Sequence, residues 1–376
     1  MLSFWEKLVN MESWTLSKED VDKVALYLKG VAENFGAAAR LVEFPKAGNA
    51  LVAEFGKPTN KAPICFLGHY DTVFPPGTTT VRPFTIKDGK AYGPGALDMK
   101  GGVTMALFVA RTLLESGYTD RQIKVVLAGD EEEGHPFSDM GAVFERESRG
   151  AVAAFNFETG DVSGVLVVGR KGTCSYDMTV KGVSVHAGRE PQKGRSAILE
   201  MARKIIDIQA LSDYEQGITF NVGVIKGGTA RNAVPDFAEI EIDTRVMRTS
   251  QLTYVDEKLK EVAARTYIDG TATELVKGTG SIGPMERTSG NDKLFAYVKA
   301  TALKSGHHIT DAVVSGGGSD SAYSVMAGVP TIDQMGVMGQ WNHSDREYAV
   351  VETLFERAKV AIDCVLDIDA FEQSNT

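Results

Sequence analysis

The apolar positions of this chain fall into two textures. Over the first 170 residues, short unbroken apolar runs alternate with helical patterns: "ALVAEFG" from Ala50, "APICFLG" from Ala62, "IKVVLAG" from Ile123 and "AVAAFNFE" from Ala151. A strand buried on both faces reads as a continuous apolar run, so this part predicts an α/β layer with a mostly parallel central sheet flanked by helices. Between the runs lies "GGVTMALFVARTLLESG", with Val103, Leu107, Ala110 and Leu114 three or four apart and a glycine at each end, which predicts a core helix. The N-terminal "MLSFWEKLVNMESWTLSKEDV" carries charges inside its apolar pattern and has no cleavage-site composition, so it predicts one amphipathic helix rather than a signal peptide.

From Thr173 the pattern turns to alternation: "TCSYDMTVKG", a helix "RSAILEMARKIIDIQAL", strands "GITFNVGVIKGG" and "DFAEIEIDTRV", a helix from Ser250 to Arg265, then "TELVKG". Strand, helix, strand, strand, helix, strand is the ferredoxin-like α+β order, and its termini fall close together, which suits insertion into a host. The expected layout is therefore a catalytic α/β domain over 1–173 and 289–376 with an inserted domain over 174–288. The last part returns to α/β texture, with a helix from Asp292 to Ser305, strands at "DAVVSGGG" and "VPTID", and a final helix from Glu352.

Composition narrows the function. With 376 residues, 43% hydrophobic and 24% charged, the chain is an ordinary globular sequence. Fifty acidic against forty basic residues give a formal charge of −10, and no Lys/Arg run offers a footprint for nucleic acid. Cys65, Cys174 and Cys364 are odd in number and far apart in apolar surroundings, which reads as free thiols in a reducing, cytoplasmic compartment. No run of 18 apolar residues occurs, so no membrane span is expected.

The candidate chemistry gathers where strands end. In "CFLGHYD" the period of two puts His69 and Asp71 on one side just past the strand, where parallel sheets place ligand sites. A neutral imidazole there can bind a metal while an aspartate fixes its tautomer; the plain alternative is a polar turn. Asp98, in "AYGPGALDMKGG", precedes the Val103 helix and reads by itself as an N-cap. Glu131, Glu132 and Glu133 follow the Ile123 strand directly, where two carboxylates can divide the work of ligand and general base; an isolated acidic triplet is otherwise a solvated surface run. Glu158 ends a further apolar run, and "QWNHSDREY" offers His343. Together these are a nitrogen and oxygen donor set for two divalent ions, which favours zinc, manganese or cobalt. His186 follows an inserted-domain strand and can donate to a substrate oxygen; His135 is a weaker ligand candidate, and His307 and His308 read as structural at a helix end.

These segments resemble a known group. "GHYDTV", "AYGPGALDMKGG", "DEEEG", "FETGD", "GRKG", "VHAG", "TARNAVPDFAEIEIDTRV", "SGGGSDSAY" and "NHSDREYA" stand in the order and rough spacing of the dizinc exopeptidases that include glutamate carboxypeptidase, aminoacylases, acetylornithine deacetylase and succinyl-diaminopimelate desuccinylase. The resemblance runs over nearly the whole chain and is nearest to the bacterial glutamate carboxypeptidase branch, through "AYGPG" and "GGGSDSAY". It implies a zinc-binding catalytic domain and a lid through which subunits dimerise. It further implies that His69 and Glu158 hold one zinc, Glu132 and His343 the other, and Asp98 bridges both. Asp71 would orient His69, Glu131 would be the base, and the peptide after Asp98 would be cis; a one-step register shift would give Glu132 and Glu133 instead. In the lid, His186 would reach the scissile carbonyl, typically that of the neighbouring subunit. Asn232 and Arg245 would lie near the substrate carboxylate, and Gly316, Gly317 and Gly318 would let backbone pass close to the ligand. The sequence departs from the glutamate-selective pattern at "GVLVVG" and "GSIGPM", where a lysine and an arginine would grip a glutamate side chain.

The expected activity is hydrolysis of an amide next to a free carboxylate in a small peptide, or of an N-acyl amino acid. Three rival readings have less behind them. Ser319 and Ser321 lie in a glycine-rich loop but form no GxSxG elbow. A non-catalytic binding relative would usually have lost a ligand or the base, and none is missing. "GPGALD" and "GGGSD" supply neither a GxGxxG turn nor the lysine and hydroxyl of a phosphate loop.

Overall fold

The computed structural model describes residues 1–373. They divide into two compact units: Met1–Arg170, Met285–Ser315 and the chain from Ser319 onward form the larger, and Lys171–Pro284 with Gly316–Gly318 form the smaller.

The larger unit is built on a six-stranded sheet in the order Ala38–Val42, Ala50–Phe55, Ile123–Ala128, Ile64–His69, Ala153–Asn156, Thr331–Ile332. The last four strands are mutually parallel, whereas Ala50–Phe55 runs antiparallel to both its neighbours, so the sheet is mixed at that end. The helix Gly101–Glu115 packs on this sheet and is buried along most of its length, as its apolar spacing requires. Gly102 makes that packing possible, because a Cβ there would stand 1.9 Å from the carbonyl oxygen of Phe157.

The N-terminal segment departs from the expected single helix. It forms two, Leu2–Val9 and Lys18–Asn34. Between them Thr72 N–H donates to Ser13 O at 2.8 Å and Thr15 N–H to Thr72 O at 3.1 Å, so the backbone is drawn out of the helix to pair with the chain just beyond His69. Local amphipathic pattern carries no sign of that long-range pairing.

A second sheet of short strands has the order Thr85–Lys87, Lys90–Tyr92, Tyr348–Val350, Met338–Gln340, Gly160–Asp161. It joins three distant stretches: the lead-in to Asp98, the hairpin that carries His343, and the chain just past Glu158. The smaller unit is a four-stranded antiparallel sheet, Thr219–Gly227, Phe237–Val246, Gly172–Lys181, Ala272–Ile282, sharing one core with the helices Ala197–Gln209 and Ser250–Ala264. This is the ferredoxin-like order. Cys65, Cys174 and Cys364 are all buried free thiols.

Candidate metal centre

Sheet polarity assembles the site. Because Ile123–Ala128, Ile64–His69 and Ala153–Asn156 are parallel neighbours, their carboxyl ends open on the same edge, with His69 opposite Ala128 and Leu67 opposite Asn156. The edge therefore displays His69, the Asp130–Glu132 turn and Glu158 together. Asp98 arrives from the loop before the Gly101 helix, and His343 from the hairpin between Met338–Gln340 and Tyr348–Val350.

The distances define a double site. His69 Nε2 lies 3.4 Å from Asp98 Oδ1, 3.2 Å from Glu158 Oε1 and 3.8 Å from Glu131 Oε2. His343 Nε2 lies 3.2 Å from Asp98 Oδ2 and 3.0 Å from Glu132 Oε2. Asp98 thus turns one carboxylate oxygen to each histidine. It caps no helix: the following helix takes Lys100 as its N-cap residue, and the Asp98–Met99 peptide is cis. Glu133 is exposed, outside these contacts.

Each first contact is held by a further one. His69 Nδ1 hydrogen-bonds the Asp71 backbone O at 3.2 Å and lies 3.3 Å from Asp71 Oδ1, while Asp71 Oδ2 accepts from Thr15 Oγ1 at 2.8 Å and from Glu132 N–H at 3.2 Å. That leaves His69 Nε2 facing the other carboxylates. Asn342 Nδ2 donates to Asp98 Oδ2 at 2.9 Å. Glu347 Oε1 accepts from Leu97 N–H at 2.8 Å and Asp98 N–H at 3.3 Å. Thr15 carries no local signal, and Asn342 and Glu347 could have been pointed to only by their place within "NHSDREYA".

Electrostatics follow from crowding four acids out of water. Burial raises the Glu131 carboxyl well above the ordinary range, and the charges of Glu158, Asp320 and Glu132 add to it against His69. Burial and Asp98 push Glu132 up to about 8. Burial also opposes ionisation of Asp98, but hydrogen bonds from His343 and His69 outweigh it and hold that carboxyl low. Hydrogen bonds with Asp98 and Glu132 raise His343 to about 11. Glu347 reaches about 7 through burial and the nearby Asp98 charge.

The donor set fits metal ions. Donor atoms of His69, Asp98 and Glu132 lie within 4.8 Å of one another, as do those of His69, Glu131 and Glu158. Glu132 Oε1 is buried with no hydrogen-bond partner, a cost that a cation would remove. All these donors are nitrogen or oxygen, the preference of borderline and hard divalent ions.

The remaining expected residues are placed as follows. His186, in the smaller unit, is exposed; its Nδ1 accepts from Gly188 N–H at 3.0 Å, which leaves Nε2–H as a free donor in the neutral ring. Asn232 is its neighbour, since Ala187 N–H donates to Asn232 O at 2.9 Å. Arg245 pairs with Asp243 at 2.9 Å, and Gly317 lies in the 316–318 loop that belongs to the smaller unit. Ser319 and Ser321 are buried and donate to Asp333 at 2.6 and 2.8 Å, which commits both hydroxyls to a carboxylate. His135 is likewise engaged, between Asp130 at 2.8 Å and Asp320 at 2.6 Å.

Comparison with known proteins adds ancestry to this geometry. A model of the peptidase dimerisation domain matches residues 168–271, and one of peptidase family M28 matches residues 50–186. The chain is 27% identical over 376 residues to carboxypeptidase G2 of Pseudomonas sp. (strain RS-16), covering 97% of this chain and 88% of that one. In these matches the chain is similar to the M20 peptidases. Other relatives diverge in substrate: acetylornithine deacetylase of Myxococcus xanthus is 27% identical over 60% of each chain. The M20 metallo-carboxypeptidase of Sulfolobus solfataricus shares the fold, with TM-score 0.78 and 21% identity over 96% of this chain and 97% of that one. This protein is a metallopeptidase-type hydrolase of amide bonds, of the exopeptidase or N-acyl amino acid deacylase kind. Among the described residues no helix is long and apolar enough to cross a membrane.

Proposed function

We propose that this protein is a dizinc exopeptidase of carboxypeptidase or dipeptidase type, cutting an amide next to a free carboxylate in a small substrate. The observation that carries this reading is Asp98, whose two oxygens face two histidines that are each backed by a further glutamate. In this reading His69 and Glu158 would hold one ion, Glu132 and His343 the other, and Asp98 would serve both. Bound there, two divalent ions, zinc or else cobalt or manganese, supply Lewis acidity and acidify a water at neutral pH.

The chain's own residues do the rest. Glu131 is the base: buried and raised, it holds a proton well enough to take one from the attacking water and return it to the leaving nitrogen. Asp71 keeps His69 Nδ1 engaged so that Nε2 points at the centre. His186 Nε2–H donates to the carbonyl oxygen as negative charge grows on it. Asn232 and Arg245 lie near the free carboxylate, as the resemblance implies, and Gly317 lets the backbone pass close to the ligand.

Dimerisation through the smaller unit belongs to the same reading. The sheet edge Thr219–Gly227 and the helix Ala197–Gln209 expose Val224, Ile225, Leu199 and Ile206, an apolar rim beside an unpaired strand edge. The buried free thiols suit a reducing cytoplasm.

N-acyl amino acid deacylation is the second reading, favoured by the deacylase relatives and by the absence of glutamate-gripping residues at "GVLVVG" and "GSIGPM". The deciding experiment is a panel of dipeptides, C-terminal glutamyl amides and N-acyl amino acids, assayed with chelator and with added zinc or cobalt. Turnover of peptides alone supports the first reading. Turnover confined to acyl amino acids replaces it with the second, and turnover untouched by chelator ends both.

A further inference from the structure

The larger unit contains a cavity of about 230 Å³ whose walls include none of the histidine–carboxylate cluster. It is bounded by one face of the helix Val351–Leu366, through Thr353, Glu356, Arg357 and Val360, by Ile309, Met335 and Met338, and by the polar pair His307 and His308. Arg357 is the unusual member. Its Nε donates to Met335 O at 3.4 Å and an Nη to Gln334 O, which uses two of its five donors on backbone. Among the described residues no carboxylate pairs with it, and burial lowers its guanidinium to about 10. Glu356, next to it on the wall, likewise has no cation within ion-pair distance among the described residues.

A cavity wall with an unanswered cation, an unanswered anion and four apolar side chains is complementary to a zwitterion with a hydrocarbon body. We infer that this cavity is an accessory binding site for a free apolar amino acid, its carboxylate on Arg357, its ammonium on Glu356 and its side chain among Ile309, Met335, Met338 and Val360. At roughly 30 Å³ per water the space equals about eight waters, which suits a leucine-sized molecule. The site is preformed. Arg357 ties down the 334–335 backbone, and that loop is held from its other side by Met335 N–H on Asn156 O at 2.9 Å and Gly336 N–H on Glu158 O at 2.8 Å. A guanidinium fixed in this way loses little freedom on binding a carboxylate. That the ligand belongs to the product class of an amide hydrolase rests on the function proposed above; the binding itself does not.

The test uses the metal-loaded protein with 13C-labelled methionine methyls. Leucine should move the Met335 and Met338 resonances saturably, whereas leucinamide, 4-methylpentanoate and inorganic phosphate should bind at least about tenfold more weakly, each lacking one of the paired charges or the body. Arg357→Gln should abolish the leucine shifts. Glu356→Gln, which removes no backbone contact, should weaken leucine and leave 4-methylpentanoate unchanged, so a poorly folded Arg357→Gln would not disarm the test. Unmoved methyls at about 20 mM leucine, equal binding of leucinamide or phosphate, or full leucine binding by either variant overturns the inference. An enzyme that cuts no peptide and no acyl amino acid would sink the proposed function and leave these shifts intact, so the two fail separately.

Discussion

At the scale of single residues, the division of labour among the four acids is set by what each one touches. Glu131 is the only one of the four whose nearest histidine approach is as long as 3.8 Å, so its loss should spare the ions. Glu131→Gln should lower kcat by about 10²–10⁴-fold while two metals per chain remain, read by elemental analysis beside turnover. Asp71 acts one step further out, and Asp71→Asn should weaken metal affinity about 10–100-fold, read by competition with a chromogenic chelator. The imidazoles give a proton count. Asp98 and Glu132 raise His343, and the Glu158 and Glu131 charges, overcoming the effect of burial, raise His69, so both rings are protonated near neutrality without metal. A ligand nitrogen must be free of its proton. Metal uptake by the stripped protein at pH 7 should therefore release at least two protons, one from each ring and a further share from Glu132, which is pushed up to about 8, measured by calorimetry in buffers of different ionisation enthalpy, and uptake with no release would contradict this placement of the rings.

At the scale of elements, two contacts should dominate local stability. Gly102 lets the Gly101–Glu115 helix seat against Phe157, and Gly102→Ala should cost about 1–3 kcal/mol by displacing that helix, visible as a lowered Tm. In the smaller unit Lys204 Nζ is buried, donates to Val262 and Ala263 carbonyls at 2.9 and 3.1 Å and lies 3.2 Å from Glu200, closing the carbonyl end of the Ser250–Ala264 helix. Lys204→Met strands a buried carboxylate and should cost about 3–5 kcal/mol. Elements of this kind were legible to different degrees. Buried parallel strands announce themselves as apolar runs, and because such strands share a polarity their carboxyl ends, with His69, Glu131, Glu132 and Glu158, meet by construction. The alternating strands of the smaller unit were equally plain. The break at residues 10–17 was not, because it is made by backbone bonds to Thr72 that no local pattern encodes. Thr15, Asn342 and Glu347 escaped for the same reason: each acts on a residue more than fifty positions away.

At the scale of the whole molecule, metal bound at the proposed centre would be a folding partner as well as a catalyst. Ligands in excess bind only the native state, so metal held at 100 times its Kd contributes about 2.7 kcal/mol. Chelation should lower the Tm of the larger unit's transition, and a scan with no change would mean that these side chains hold no ion. The smaller unit has its own core and contributes none of the cluster's residues. If subunits associate along its exposed edge, Ile225→Glu should convert a dimer to a monomer in sedimentation without lowering the Tm.

The Glu347 contact has a consequence for the order of assembly during synthesis. This carboxylate grips the backbone of Leu97 and Asp98 from 250 positions away in the chain, and His343 stands four residues before it. On the ligand sets proposed above, the cradle of His69, Asp98 and Glu158 is complete in sequence once the three parallel strands and the turn after them have been made, whereas the second cradle waits for His343 and the grip of Glu347.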